Sequence, residues 1–489
     1  MTKLRTLDYK WIVAIAFIMG IFMDILDTTI VNVALPAIAE DFGVNDTTIQ
    51  WIVTGYLLSL AVWIPVSGWL GDKFGTKRVF IFALTAFTIG SLLCATAWNL
   101  ESLIFFRVLQ GVGGGMMTPV GAAMLFRAFP PNERAAASAV MVVPIAIAPA
   151  MGPVLGGVLV DQLSWHWIFL INIPIGIAGV IFSTLMLRNE KQPNPGRFDP
   201  WGFVLSATGL PILLYGISEG PTRGWKSTVV LGTIAAGLVL LALLVIVELR
   251  KREPMLALRL FSNRMFRNAN LANFMSSAGL VGALFLLPLF LQQLRGLSAT
   301  QSGLTTFPQA LGTVAMSQIS TRLYPKIGPR RMMFVGGLGT AALTVGFLFI
   351  NLETSLWWIR GIMFTRGIFF SLSLVPIQAA TYSTISQQDQ GRASSLFNTN
   401  RQVASSVGVA ILATVLAQSL VTQTRGATTP QAIADGALTA FHYAFAVAVV
   451  LALLAALFAL FIHDEDARAS MEPVAKHASP VPEEAATVP

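Results

Sequence analysis

Fourteen apolar runs dominate the chain, each near the roughly 20 residues that an α-helix needs to cross a hydrocarbon core. They fall near 12–36, 49–70, 79–97, 102–124, 136–160, 167–187, 201–219, 228–248, 268–292, 303–323, 333–351, 358–380, 394–418 and 438–462. So many such runs predict an all-α integral membrane protein. The composition agrees: 55% of the residues are hydrophobic and only 11% charged, where soluble domains carry roughly 25% charged residues. The net charge of +8 does not indicate nucleic acid, because the bases form short clusters between apolar runs and no continuous stripe. Counted from an inside start, 24 of the 32 Lys and Arg fall on one side, which predicts that both termini are cytoplasmic. The single cysteine, Cys94, leaves no internal disulfide framework and no cysteine-rich metal site. The basic N-terminus precedes a run of spanning length without a small-residue cleavage site, so a retained first helix is expected.

A weak internal repeat divides the chain. "DKFGTKR" (Asp72–Arg78) follows the second run and "PKIGPRR" (Pro325–Arg331) the tenth; "RAAAS" from Arg134 opens the fifth and "RASS" from Arg392 the thirteenth. Repeat-built halves are common among secondary transporters. The expected organisation is an N-terminal six-helix bundle over 1–190, an inserted two-helix linker over 191–255, a C-terminal six-helix bundle over 256–462 and a disordered cytoplasmic tail over 463–489.

An ionisable side chain at bilayer depth costs several kcal/mol and by default marks a substrate or ion pathway. "FMDILDTTIVNVALP" (Phe22–Pro36) keeps two, Asp24 and Asp27. At 100° per residue these acids share one arc of the first helix with Thr28 and Asn32, an inward polar stripe. Arg107, in "RVLQGVGGG" of the fourth run, is the expected partner of Asp27, because the two helices are antiparallel and both residues lie in the outer half. The glycines of "GVGGG" have no preceding strand and so suit close helix contact better than phosphate binding. "APAMGPVLGG" (Ala148–Gly157) sets Ala148, Gly152 and Gly156 four residues apart between prolines. Small residues at that spacing let helices touch, and Gly152, Pro153, Gly156 and Gly157 form a candidate hinge. "GWLGDKFGTKR" (Gly68–Arg78) places Gly71, Asp72, Gly75 and Arg78 at a tight turn on the inner face. The second half has no spanning acid, so Arg366 and Arg401 must find carbonyls, hydroxyls, Asn398 or Gln402.

Together these motifs resemble the major facilitator superfamily, and within it the fourteen-helix drug:proton antiporter family of the multidrug efflux type. "LDTTIVNVALP", "GWLGDKFGTKR", "RVLQGVGGG" and "APAMGPVLGG" are similar to its first-helix, loop, fourth-helix and antiporter motifs; "WHWIFLINIPIG" (Trp165–Gly176) and "GRASSLFNTNRQ" (Gly391–Gln402) are similar to two more. The resemblance implies alternating access in the plasma (inner) membrane, proton coupling at the position of Asp27, a gating charge network at Asp72 and Arg78, and export of hydrophobic, often cationic, compounds. Asp24 is an additional acid, so either carboxylate is a candidate for the proton. His166 stands where the family usually has Arg, and Pro325 where the second-half loop would carry an acid. The expected partners are protons, such substrates and the lipid bilayer, with no nucleic acid, no metal and no cofactor beyond the proton gradient, for a monomer. A lipid or lipidic-metabolite exporter is the alternative on the same fold, suggested by the acid-free second half. No catalytic Ser/His/Asp set is recognisable, so an enzyme is not expected.

Overall fold

Fourteen long helices follow the apolar pattern: α1 Tyr9–Phe42, α2 Trp51–Phe74, α3 Thr76–Ala95, α4 Leu100–Ala128, α5 Arg134–Gln162, α6 Asn172–Met186, α7 Pro200–Arg223, α8 Thr228–Arg250, α9 Arg264–Leu289, α10 Pro308–Ile327, α11 Pro329–Val345, α12 Leu356–Ser383, α13 Gln390–Gln423 and α14 Pro430–Ala459. The computed structural model describes residues 7–193, 195–426 and 428–471, and no strand occurs among them. Thirteen of its helices are long and apolar enough to cross a membrane. The expected tenth span does not reach that level of hydropathy. Helix α10 is 20 residues long but carries Gln309, Gln318, Arg322 and Lys326. It packs closely on α12: a Cβ on Gly312 would lie 2.1 Å from the Phe364 carbonyl oxygen.

Helices α1–α6 pack on one another, as do α9–α14, while α8 pairs with α7 and α7 lies against α2 and α13. The two groups meet through α5 on α10 and α12, and through α2 and α4 on α13. The start of α1 and the segment after α14 share one end of the molecule, here the basal end; the opposite end is distal. At the basal end a glycine with positive φ closes each repeat-related turn, Gly75 (φ 95°) after α2 and Gly328 (φ 83°) after α10. A side chain there would be strained.

The tail departs from expectation at its start. Asp464–Ala467 and Arg468–Met471 form short helical turns under the second half. Asp466 pairs with Arg264 at 2.6 Å, and Ser470 Oγ lies 2.9 Å from the buried Tyr324 hydroxyl. These contacts hold a polar segment that composition alone would leave unfolded. The rest of the tail, and the basic residues 1–6, lie outside the described residues.

Candidate functional site

Asp24 and Asp27 sit near the midpoint of the 34-residue α1, both buried, and their surroundings differ in kind. Asp27 Oδ2 accepts from Arg107 Nη1 at 2.6 Å; its Oδ1 accepts from Gln110 Nε2 at 2.9 Å and Asn172 Nδ2 at 3.0 Å. Arg107 also donates to Gln110 Oε1 at 2.6 Å, and its guanidinium lies 4.1 Å from the centre of the Tyr56 ring. Every group around Asp27 donates to it, a ring that suits a carboxylate holding a guanidinium. Asp24 is bonded by hydroxyls only, Tyr56 Oη at 2.5 Å and Thr118 Oγ1 at 3.1 Å. Hydroxyls rotate and can donate or accept, so this cage accommodates the acid with or without its proton. Tyr56 joins the two acids, its ring on the Arg107 cation and its hydroxyl on Asp24.

The glycine run on α4 makes room for that junction. A Cβ on Gly114 would lie 2.5 Å from the Tyr56 hydroxyl and 3.1 Å from Asp24 Oδ1. Across the interface between the two groups of helices, Arg401 of α13 acts electrostatically on Asp24. It has no hydrogen bond to Asn398 or Gln402, the neighbours expected from the sequence; Asn398 bonds Ser394 instead. Asn32 likewise stays outside the acid network. Its amide donates to the Thr28 carbonyl at 3.1 Å, and its side chain is exposed. Along its stripe of α1, Ile25 and Thr28 are half-buried while Asn32 and Pro36 are exposed, so the helix face above Asp24 opens toward the distal end.

The small residues of α5 serve two neighbours. Cβ atoms on Gly152 and Gly156 would meet Thr29 Oγ1 at 2.4 Å and Ile30 Cγ1 at 3.0 Å on α1, whereas one on Gly157 would lie 3.3 Å from Thr300 Oγ1 before α10. Pro153 faces Gly303 in the same short helix. These four residues therefore stand where α1 and the second half both touch α5.

At the basal end the two halves are stitched by polar contacts. The Gly68 amide donates to Ser395 Oγ at 2.9 Å, Ser394 Oγ to the Pro119 carbonyl at 2.7 Å, and Arg134 to the Tyr382 carbonyl. A Cβ on Gly68 would approach the Gly391 carbonyl oxygen to 2.5 Å. Asp72 pairs with Arg127 of α4 at 2.7 Å, and Arg127 Nε donates to the Gln387 carbonyl at 3.2 Å. Arg78, in the first turn of α3, is exposed and has no ion-pair partner among the described residues, so the cation that Asp72 meets here is Arg127. Gly71 is buried near Thr76 and Val120, and Gly75 lies against Asn189. In the second-half turn, the acid missing at Pro325 is supplied in space by Asp464, whose Oδ1 accepts from the Arg330 amide at 2.8 Å.

Sequence reasoning did not single out Tyr56, Gln110, Thr118, Asn172, Arg127 or Asp464. Gln110 and Asn172 lie inside motifs already noted, and their amides in apolar segments were the available signal. Tyr56, Thr118 and Asp464 gave none, because their roles depend on neighbours far away in the chain. Arg366 is buried in α12 and bonds Gln309 Oε1 and, at 3.1 Å, Thr344 Oγ1.

Comparison with known proteins bears on the family and the fold. A family model described as "Major Facilitator Superfamily" matches residues 17–409. The chain is 38% identical over 403 residues to a "Multidrug resistance protein B homolog" of Mycobacterium tuberculosis, covering 80% of this chain and 73% of the relative. It is 36% identical over 401 residues to a "Putative multidrug resistance protein MdtD" of Serratia proteamaculans, covering 82% and 83%. Among solved structures, the human organic anion transporter MFSD10 superposes with a TM-score of 0.67 over 92% of this chain and 99% of that one, at 15% identity. That likeness speaks to the fold alone.

Proposed function

Because this chain belongs to the Major Facilitator Superfamily, a superfamily of multi-pass membrane transporters, we propose that it is a proton-coupled antiporter. Its substrates are hydrophobic, often cationic, compounds, exported by alternating access. The observation that carries this reading is the position of Asp24. It is the buried acid held by hydroxyls alone, near mid-helix, and the Arg401 cation of the other half acts on it electrostatically. A proton and a cationic substrate compete for one carboxylate, and that competition is antiport. Ionised Asp24 attracts Arg401 across the interface; a proton on Asp24 removes the attraction. Two load states thus favour different arrangements of the halves, as a population shift requires. Asp27, clamped by Arg107, Gln110 and Asn172, anchors α1 and fixes the field in which Asp24 works.

The polar stitching at the basal end corresponds, in this reading, to the conformer closed toward the cytoplasm. The Lys and Arg bias supports assigning that end to the cytoplasm and the protein to the plasma membrane. The names of the relatives support multidrug substrates. The test is flux of a lipophilic cationic dye in proteoliposomes under an imposed pH gradient. Dye movement driven by the gradient is expected; a folded protein that moves no dye would refute the reading and favour export of a lipid.

A further inference from the structure

Arg366 is 2% exposed, and no charged side chain acts on it among the described residues. Its Nε donates to Thr344 Oγ1 at 3.1 Å and its Nη1 to Gln309 Oε1. Both partners are neutral. Its remaining nitrogen, Nη2, has no protein acceptor among the described residues. Buried charges are ordinarily paired, because hydrogen bonds from neutral groups leave the desolvation cost of the ion largely uncompensated.

Beside Arg366 is a cavity of about 20 Å³ between α9, α11, α12 and α14, lined by Ser276, Gly279, Thr340, Phe370 and Ser373 among others. Its chemistry is one-sided. Neither the Ser276 nor the Ser373 hydroxyl has a hydrogen-bond partner among the described residues, although a helical serine ordinarily bonds a carbonyl in the preceding turn. Thr340 does so, donating to the Gly336 carbonyl at 2.7 Å. The cavity therefore offers a guanidinium, two free hydroxyls and no carboxylate. The volume suits one water-sized guest.

We propose that this cavity is a binding site for a single monatomic anion, chloride in a cell, held by Arg366 Nη2 and the hydroxyls of Ser276 and Ser373. The anion supplies the counter-charge that Arg366 lacks and ties α9 to α12 through the two serines. A water in the same place would satisfy the hydroxyls and leave the charge unpaired.

The experiment is thermal melting of the purified full-length protein in detergent, at constant ionic strength, with sodium chloride exchanged for sodium gluconate. A ligand that binds only the folded state raises the melting temperature saturably, so stabilisation by chloride is expected, with bromide substituting for it. Combined Ser276→Ala and Ser373→Ala keeps the cation and is expected to weaken the chloride midpoint by about tenfold or more, from two lost charge-assisted hydrogen bonds. Arg366→Gln, where it folds, abolishes the dependence. Identical melting in both salts would overturn the proposal in favour of water. A chloride effect unchanged in the serine variant would overturn it too, as an effect of bulk salt.

Discussion

Two arginines, Arg107 and Arg366, are buried at comparable places, on α4 of the first half and α12 of the second. The first meets Asp27 at 2.6 Å, with an aromatic face beneath it. The second meets only a glutamine and a threonine. The difference assigns labour between the halves. The first half keeps two acids and one fixed cation, leaving Asp24 outside the ion pair and free to change its load. The second half holds cations without a buried acid of its own beside them, Arg401 toward the interface and Arg366 inside its own bundle. In the proposed mechanism one half handles the exchangeable charge, and the other supplies the field it responds to.

The contrast predicts unequal costs for the same substitution. Arg107→Gln leaves Asp27 buried without its counter-charge and is expected to lower stability by about 3–5 kcal/mol, the usual loss on breaking a buried pair. Arg366→Gln removes hydrogen bonds from a charged donor to neutral acceptors and is expected to cost about 1.5–3 kcal/mol. Chemical unfolding of both variants in detergent measures this, and equal costs would break the comparison. Combined Asp27→Asn and Arg107→Gln should recover part of the loss, since no charge is then stranded.

Gly114→Ala sharpens the assignment of Asp24. Its Cβ would displace the Tyr56 hydroxyl, an expected loss of about 1–3 kcal/mol, and slow gradient-driven flux while Asp27 stays paired. A variant with wild-type flux would show that the Tyr56–Asp24 bond is dispensable. At the basal end, Gly68→Ala forces α2 from α13 and is expected to speed labelling of a cysteine placed at Ser394 in a Cys94→Ser background. Unchanged labelling would mean that this seam does not limit closure. Smallest of all is Arg78→Ala, expected within about 0.5 kcal/mol of wild type in stability because the side chain is solvent-exposed; a larger loss would restore the network that resemblance implies.

Much of the fold was legible because lipid imposes a length and an apolar composition on every spanning helix. Where a helix mixes Gln, Arg and Lys into its apolar residues, as α10 does, that signal fades. In the site, the meeting of Asp27 and Arg107 follows from antiparallel helices and matched depth. Asn32 shares the arc of the acids, yet the arc is wider than a single neighbour, and the residue ends on the open face. The electrostatic influence of Arg401 on Asp24 joins residues from opposite halves of the chain, which no local pattern encodes. Asp464 reaches the Gly328 turn only because the polar tail folds back beneath the bundle.

Asp24 is the acid proposed to exchange its proton. Its most direct test is dye flux driven by an imposed pH gradient in proteoliposomes containing Asp24→Asn, with a melting curve to establish folding. The account predicts a folded variant in which the gradient no longer drives flux. A folded Asp24→Asn variant with wild-type gradient-driven flux would contradict it.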